Sequence, residues 1–545
     1  MQGDPPKEQP DPCVLVLFGA SGDLVSRKIV PSLLDLYTRG ALPDRFGIIG
    51  VSRTAMSDDD FRQHLLDAYD DNQGGDGSAP EGWEEFAKRV HYVIGDATRP
   101  DVYNALKRKI ESVAARFDAV MDEFRGAPTP EAPWRGQPNL LLYLSVAPFL
   151  YGPIIERIGA AGLVHTGGGR YGEPVQLQPW QRVIIEKPIG NDLRSAIELN
   201  SNVAKVFDER AVYRIDHYLG KELVQNILVM RFANAMFEPI WSNQYVDHVQ
   251  VSAAESVGVG KRAGGFYDEA GAIRDMLQSH LLQVLAIVAM EPPSEYSPDA
   301  IRREKVKVLD AVHPVDPSRD ANQVVLGRYG ASDDESDDDH GLAYVDLDGV
   351  DAARKTETFA AMRLSVDNWR WNGVPFYIRS GKKMARKLTE VVVQFKRPPA
   401  NLFRQFPPFS EGGWRPGNRI IINIAPDEGV GLRFEAKIPG AALSIGSVKA
   451  DFDYKHVFKS EPVEAYGPLL VDAMRGDKTL FKHRDEVEGA WRVVDPVVSQ
   501  EAGRREVRDY PAGSWGPDAA DELFQNRRSE DTDRRWHNPI PSDVR

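Results

Sequence analysis

The sequence predicts two lobes: an N-terminal doubly wound α/β domain of Rossmann-like type, and a larger C-terminal α+β domain with a large, mostly antiparallel sheet and helices. Three observations carry this. Short apolar runs alternate with helical patterns over the first two-fifths of the chain, which is the mark of βαβ units and a parallel sheet. From Phe359 onward, several alternating segments succeed one another with little helical pattern between them, which suggests an antiparallel or mixed sheet. And 545 residues exceed what one hydrophobic core ordinarily serves. The boundary is placed near Val212, giving 1–212 and 213–545.

The first run, Cys13 to Phe18, is continuously apolar and bounded by a Pro/Asp stretch and by Gly19, so it reads as a buried parallel strand. Leu24 to Tyr37 has helical spacing, and Phe46 to Val51 is a second strand; together they open a βαβ unit. Further strands are expected at Tyr92 to Gly95, Leu140 to Val146 and Val183 to Ile185. Helices are expected at Val102 to Phe117, Pro153 to Ala161 and Leu193 to Phe207. In the second lobe a long helix is predicted from Arg274 to Met290. Strands follow at Phe359 to Val366, Phe376 to Ser380, Glu390 to Phe395, Arg419 to Ile424 and Gly431 to Ile438. Gly74 to Ser78 and Gly167 to Gly169 read as loops. The acidic run Asp333 to Asp339 reads as a solvated loop, since it lacks the ligand spacing and glycine of a calcium loop.

Composition narrows the function classes. A net charge of -14 argues against general nucleic-acid binding and requires that an anionic substrate be held by a local basic cluster. One cysteine, Cys13, allows no internal disulfide and fits a reducing compartment. Met1 to Pro12 is polar and proline-rich, without an apolar stretch or basic amphipathic character, so no signal or transit peptide is expected. Leu281 to Met290 is too short to span a membrane. A cytoplasmic protein without membrane contact is the expectation.

Six motifs could carry chemistry. Gly19-Ala20-Ser21-Gly22-Asp23-Leu24 follows the first strand and opens a helix. Its glycines allow a tight turn, and the helix start offers free N–H groups to a pyrophosphate; a plain strand-to-helix turn is the alternative. After the second strand, Arg53 stands where an acid would bind the ribose of NAD, so a 2′-phosphate, and hence NADP, is favoured over an ordinary surface arginine. Glu186-Lys187-Pro188-Ile189-Gly190 lies at the ligand-facing end of a strand, where Lys187 could reach both cofactor and substrate or simply solvent. Arg214 to Glu222 concentrates two carboxylates with His217, Tyr218 and Lys221, which could donate to phosphate oxygens, or form surface ion pairs. Asp275 and His280 share the long helix. His280 becomes a candidate base if a carboxylate such as Asp216 accepts its other N–H; otherwise it is a core histidine. Arg379 to Lys387 is a basic loop suited to an anion, or a charged hairpin tip. No metal-binding cluster is evident.

These motifs occur in the same order in the glucose-6-phosphate dehydrogenases, which the chain resembles over roughly residues 12 to 500. The strongest string is Arg214-Ile215-Asp216-His217-Tyr218-Leu219-Gly220-Lys221-Glu222. Glu186 to Gly190, Phe266 to Asp268, Arg274 to Gln283, Thr356 to Ala361, Asp367 to Trp371, Pro426 to Gly429, and Tyr466-Gly467 with Trp491 support it. The resemblance implies oxidation of glucose 6-phosphate to 6-phosphogluconolactone with hydride transfer to NADP, the first step of the oxidative pentose phosphate pathway. It implies that His280 takes the proton of the C1 hydroxyl and that Asp216 stabilises the imidazolium. His217, Tyr218 and Lys221 would bind the phosphate with help from Lys387, and Lys187, Glu255, Asp275 and Lys382 the sugar hydroxyls. Gly19, Ser21, Gly22, Asp23, Leu24 and Lys187 would line the cofactor site, with Arg53 at the 2′-phosphate. A homo-oligomer, dimer or tetramer, is implied as well.

The chain departs from the family pattern at Ala147-Pro148, at Val25 to Lys28 and at Ser279. Two other readings stand beside the leading one: a dehydrogenase of another hexose phosphate or with dual NAD/NADP use, and a non-catalytic NADP-binding regulator, which would be expected to have lost Asp216 or His280.

Overall fold

The computed structural model describes residues 9–73, 79–116, 137–164, 179–319, 321–333, 339–400, 402–403, 405–406, 417–440, 443–458, 466–500, 506–524 and 535–539. The glycine-rich loops and positions 334–338 of the acidic run lie outside them.

Six of the seven strands of the first sheet come from the N-terminal part of the chain: β1 (Cys13–Phe18), β2 (Phe46–Ser52), β3 (Val90–Ile94), β4 (Asn139–Leu144), β5 (Gln181–Ile185) and β6 (Val212–Ile215). All six run parallel, in the order β6-β5-β4-β1-β2-β3. Every residue of β1 is buried, as its unbroken apolar run requires of a strand covered on both faces. The order reverses between β1 and β4, so the crevice beyond their carboxyl ends is the natural ligand site of this lobe. The boundary expected near Val212 falls at the start of β6, which pairs in parallel with β5.

The second sheet takes β7 (Val246–Ala254), β8 (Val324–Tyr329), β9 (Phe359–Ser365), β10 (Pro375–Gly381), β11 (Leu388–Phe395), β12 (Arg419–Ala425), β13 (Gly429–Lys437) and β14 (Ile445–Asp453). The chain then sends β15 (Phe481–Lys482) back to the edge of the first sheet, antiparallel to β6, and β16 (Val507–Tyr510) to the second. The second sheet has nine strands in the order β14-β13-β12-β11-β7-β10-β9-β8-β16. It is antiparallel except at β7–β10 and β8–β16. The sequence reading did not anticipate β7, β8, β14 or β16. One hydrophobic core runs from the first sheet through residues 272–290 to one face of the second. A separate aromatic cluster with Tyr329, Tyr377, Tyr510 and Trp536 covers part of the opposite face.

Two predicted helices differ from regular α-helices. After Gly22 the chain makes a π-helical turn, Val25–Ile29, before the α-helix Val30–Thr38. Pro31 has no N–H to give the Arg27 carbonyl, and the Val30 N–H reaches back to the Val25 carbonyl instead. The helix expected from Arg274 to Met290 is π-helical over Ile273–Leu281 and α-helical over Leu282–Ala289.

Candidate active site

The π-helical winding is what makes a site of the second lobe. Asp275 and His280 are five residues apart. On an α-helix they would point about 140° away from each other. Bonds from residue i to i+5 widen the turn and bring them to one face, and Lys187 Nζ meets both, at 2.9 Å from Asp275 Oδ1 and 3.0 Å from His280 Nε2. The segment starts cleanly. Gly271 adopts a φ of 66°, and the buried Glu357 carboxylate accepts the Ile273 N–H at 3.1 Å, satisfying a donor that the helix start leaves open. A Cβ at residue 271 would lie 2.5 Å from that carboxylate.

The strand ends of the first sheet supply the facing groups. Lys187 follows β5 and Asp216 follows β6. Helix Arg484–Val498 braces the Lys187 turn: Trp491 Nε1 donates to the Ile189 carbonyl at 2.8 Å, and the Asp495 carboxylate accepts the Leu193 N–H at 2.8 Å. Asp216 and His280 are both buried. His280 Nδ1 lies 2.6 Å from Asp216 Oδ1, and the Tyr218 N–H donates to the same oxygen at 2.9 Å. An ammonium has only donors, so His280 Nε2 accepts from Lys187. The imidazole is therefore neutral, with its proton on Nδ1 toward Asp216. The Tyr218 ring stacks on the imidazole at 4.5 Å.

Electrostatics agree with that tautomer. Burial pulls the His280 imidazole down; the Asp216 charge opposes it and the Lys187 charge adds to it, leaving the group at about 4. Burial works to raise the Asp216 carboxyl, but His280, whenever it is protonated, and the Lys482 ammonium hold it far below the usual carboxylate range. Burial likewise works to raise Asp275, and Lys187 and Lys382 outweigh it, to about 2. Burial, with the charge of His280 once that ring is protonated and the Lys187 charge, pushes His217 down to about 2. The arrangement is a neutral imidazole backed by a permanent carboxylate, which can take up a proton and have the resulting cation stabilised in place.

The remaining substrate-side residues form two groups. Lys382 pairs with Glu255, and its ammonium lies 5.6 Å from the Tyr267 ring centroid. With Lys187 and Asp275 this makes a wall of alternating charge. On the other side, Lys221 Nζ sits 4.1 Å from the Tyr218 ring centroid. Burial lowers Lys221, and the exposed Lys387 beside it lowers it further, against Glu428. Cations crowded in this way suit a dianion. Arg214, in the same motif, is turned away into the core, where Glu209 and Asn200 hold it.

The dinucleotide motif sits at the crevice between β1 and β4. Gly19 has a φ of 82°, and a Cβ there would lie 2.0 Å from the Ser145 carbonyl oxygen. Ser21 Oγ is 2.7 Å from Ser52 Oγ, tying the turn to the end of β2. The N–H groups of Ser21, Asp23 and Leu24 carry no hydrogen bond to another described residue; they are the donors a pyrophosphate at this position would use. Arg53 is exposed just beyond β2. It adds its charge to the Thr98 bonds that lower the Asp96 carboxyl. Among the described residues no group of three His, Cys, Asp or Glu side chains is placed to hold a metal ion, and no helix is long and apolar enough to cross a membrane.

Sequence reasoning missed Lys482, whose ammonium lies 3.4 Å from Asp216 Oδ2, and Glu357 under the π-helical segment. Glu357 lies within Thr356 to Ala361, a stretch whose pattern alone carries no sign of a capping carboxylate. For Lys482 there was no local signal, because only the pairing of β15 with β6 brings it to the site.

Comparison with known proteins agrees with this geometry. Residues 16–226 match the family described as glucose-6-phosphate dehydrogenase, NAD binding domain, and residues 228–537 match its C-terminal domain. The chain is 40% identical over 527 residues to a glucose-6-phosphate 1-dehydrogenase of Aggregatibacter actinomycetemcomitans, covering 97% of each. It is 40% identical to that of Treponema pallidum, covering 97% of this chain and 95% of the other. Among solved structures, a glucose-6-phosphate dehydrogenase in complex with glucose 6-phosphate superposes with a TM-score of 0.79 at 33% identity, covering 95% of this chain and 98% of that one. The Mycobacterium avium glucose-6-phosphate 1-dehydrogenase gives 0.76 at 30% identity, covering 97% and 100%. By sequence and by fold, this chain belongs to the glucose-6-phosphate dehydrogenase family.

Proposed function

We propose that this protein oxidises glucose 6-phosphate to 6-phosphogluconolactone with NADP as the hydride acceptor, the entry step of the oxidative pentose phosphate route, in the cytoplasm. The observation that carries the reading is the Asp216–His280–Lys187 array, whose accepting nitrogen lies between the two lobes. His280 Nε2 removes the proton of the C1 hydroxyl. Asp216 keeps the imidazole in the right tautomer and stabilises the imidazolium. Lys187 stands beside the same nitrogen, where it can donate to the oxygen that loses the proton, and Asp275, Glu255 and Lys382 orient the other hydroxyls. His217, Tyr218, Lys221 and Lys387 hold the phosphate, whose binding energy fixes the ring against the base. When bound, the dinucleotide supplies the nicotinamide carbon that accepts the hydride. Gly19, Ser21, Gly22, Asp23 and Leu24 cradle its phosphates, Lys187 borders it, and Arg53 takes the 2′-phosphate.

In this reading, residues 1–212 hold the dinucleotide and 213–545 bind substrate and join subunits. Phe434 and Val448 face each other across β13 and β14, and Phe452 lies on the same face. All three are exposed, an apolar stripe suited to contact between copies in a dimer or tetramer. The deciding experiment follows reduced nicotinamide by absorbance with NADP and NAD, across a panel of sugar phosphates. Turnover with glucose 6-phosphate and a preference for NADP is expected. Nucleotide binding without turnover on any sugar phosphate would refute the reading.

A further inference from the structure

Asp216 carries its charge with almost no access to water. One oxygen, Oδ1, is occupied by His280 Nδ1 and the Tyr218 N–H. The other, Oδ2, faces Lys482 Nζ at 3.4 Å. The ammonium of Lys482 is itself buried and donates to the Ser279 carbonyl at 2.8 Å. The residue that faces the dyad carboxylate is thus also bonded to the backbone next to the dyad histidine. This placement depends on long-range topology. The strand Phe481–Lys482 returns from the C-terminal part of the chain to pair with Ile215 and Arg214, immediately before Asp216.

A buried carboxylate needs a counter-charge. His280 does not supply one while it acts as a base, because it must then be neutral. Lys187 is turned to the far nitrogen of the ring and to Asp275, and His217 is held neutral by its burial. The groups around the imidazole are therefore Asp216, Lys187, Lys482, His217, Asp275 and the stacked Tyr218 ring. Around Lys482 stand Asp216, Glu486 and, at longer range, Lys187. Glu486 is already paired with the buried Lys305 at 2.5 Å.

We propose that Lys482 is a positioning residue of this site: its buried ammonium, beside Asp216 Oδ2 and bonded to the Ser279 carbonyl, is the standing counter-charge that keeps Asp216 ionised and aimed at a neutral His280. The proposal rests on the reading of His280 and Asp216 as the proton-abstracting pair. Burial draws Lys482 below the ordinary lysine value, while the Asp216 charge works to retain its proton.

Removing this charge leaves the Asp216–His280 pair with an uncompensated negative charge, so the pair binds a proton more tightly as a unit. The test is the pH profile of kcat/KM for the purified full-length enzyme, with wild type and His280→Asn measured first. An acid limb in the wild type and turnover lost in His280→Asn establish the base; without them the underlying reading fails, not the role of Lys482. In Lys482→Met, which keeps length and removes charge, the acid limb is expected to move to higher pH by on the order of one unit, the scale set by a charge a few ångströms away. The KM for glucose 6-phosphate should be unchanged, and Lys482→Arg should return the limb toward the wild-type position. A folded Lys482→Met enzyme whose limb coincides with wild type would overturn the proposal. If Lys482→Met is recovered only unfolded, the Lys482→Met, Asp216→Asn double variant decides the matter by thermal melting. A counter-charge role predicts that it melts with Asp216→Asn alone, since the charge needing Lys482 has gone. A double variant as unstable as Lys482→Met would overturn it.

Discussion

Lys187 Nζ lies 3.0 Å from His280 Nε2, joining the end of a first-lobe strand to a π-helical segment of the second lobe. The contact fixes the protonation state of the imidazole: a neutral ring, its proton on Nδ1 toward Asp216. The lobes thus meet at the nitrogen proposed to receive the substrate proton, and the expected behaviour of the enzyme follows from what surrounds it.

The first consequence concerns pH. With His280 drawn down to about 4, the base is unprotonated well below the usual histidine range. The acid limb of kcat/KM should therefore stay flat from neutrality to below pH ~6.5, the ordinary histidine value, and fall only as the pH approaches that of the dyad. Asp216 is the group that raises the proton affinity of His280, so Asp216→Asn should move the limb to still lower pH and reduce kcat. A limb that moved upward in that variant would contradict the pairing.

Phosphate recognition gives the second. Lys221 lies over the Tyr218 ring with Lys387 near it. Lys221→Ala should raise the KM for glucose 6-phosphate by roughly tenfold or more, the worth of one charge-assisted hydrogen bond, and leave the affinity for the nucleotide alone. Equal losses for glucose 6-phosphate and for unphosphorylated glucose would move the phosphate elsewhere.

The third is steric. A side chain at residue 19 meets the Ser145 carbonyl at 2.0 Å, and the residue sits at a positive φ. Gly19→Ala should cost about 1–3 kcal/mol in chemical denaturation. It should also abolish the fluorescence change on binding reduced nucleotide, because the turn that presents the helix start is displaced.

Cofactor choice gives the fourth. Arg53→Ala should lower kcat/KM with NADP by roughly tenfold or more and leave NAD nearly unaffected. Parallel steady-state measurements with the two nucleotides check this, and equal losses would remove Arg53 from the 2′-phosphate.

The sequence made β1 to β5 legible because buried parallel strands are short apolar runs between turn residues, and Cys13–Phe18 is a clear case. It made the site motifs legible where their residues are contiguous, as in Arg214 to Glu222. Three features were hidden for physical reasons. β6 is only four residues long and runs into the motif, so its pattern marks a boundary rather than a strand. The π-helical winding at Ile273–Leu281 has no signature in a 3.6-residue period, and its first N–H is capped by Glu357, 84 positions away. Lys482 reaches Asp216 only through the return of β15 to the first sheet, which no local pattern announces.

The central claim is that His280 takes the proton that leaves the sugar. His280→Asn keeps a hydrogen-bonding group near the position of Nδ1 and removes the accepting nitrogen Nε2. Steady-state kinetics of this variant with glucose 6-phosphate and NADP should show kcat reduced by about 10²-fold or more, with binding of both partners largely retained, as expected for loss of a general base. A variant that turns over at the wild-type rate would place the base elsewhere and contradict the account.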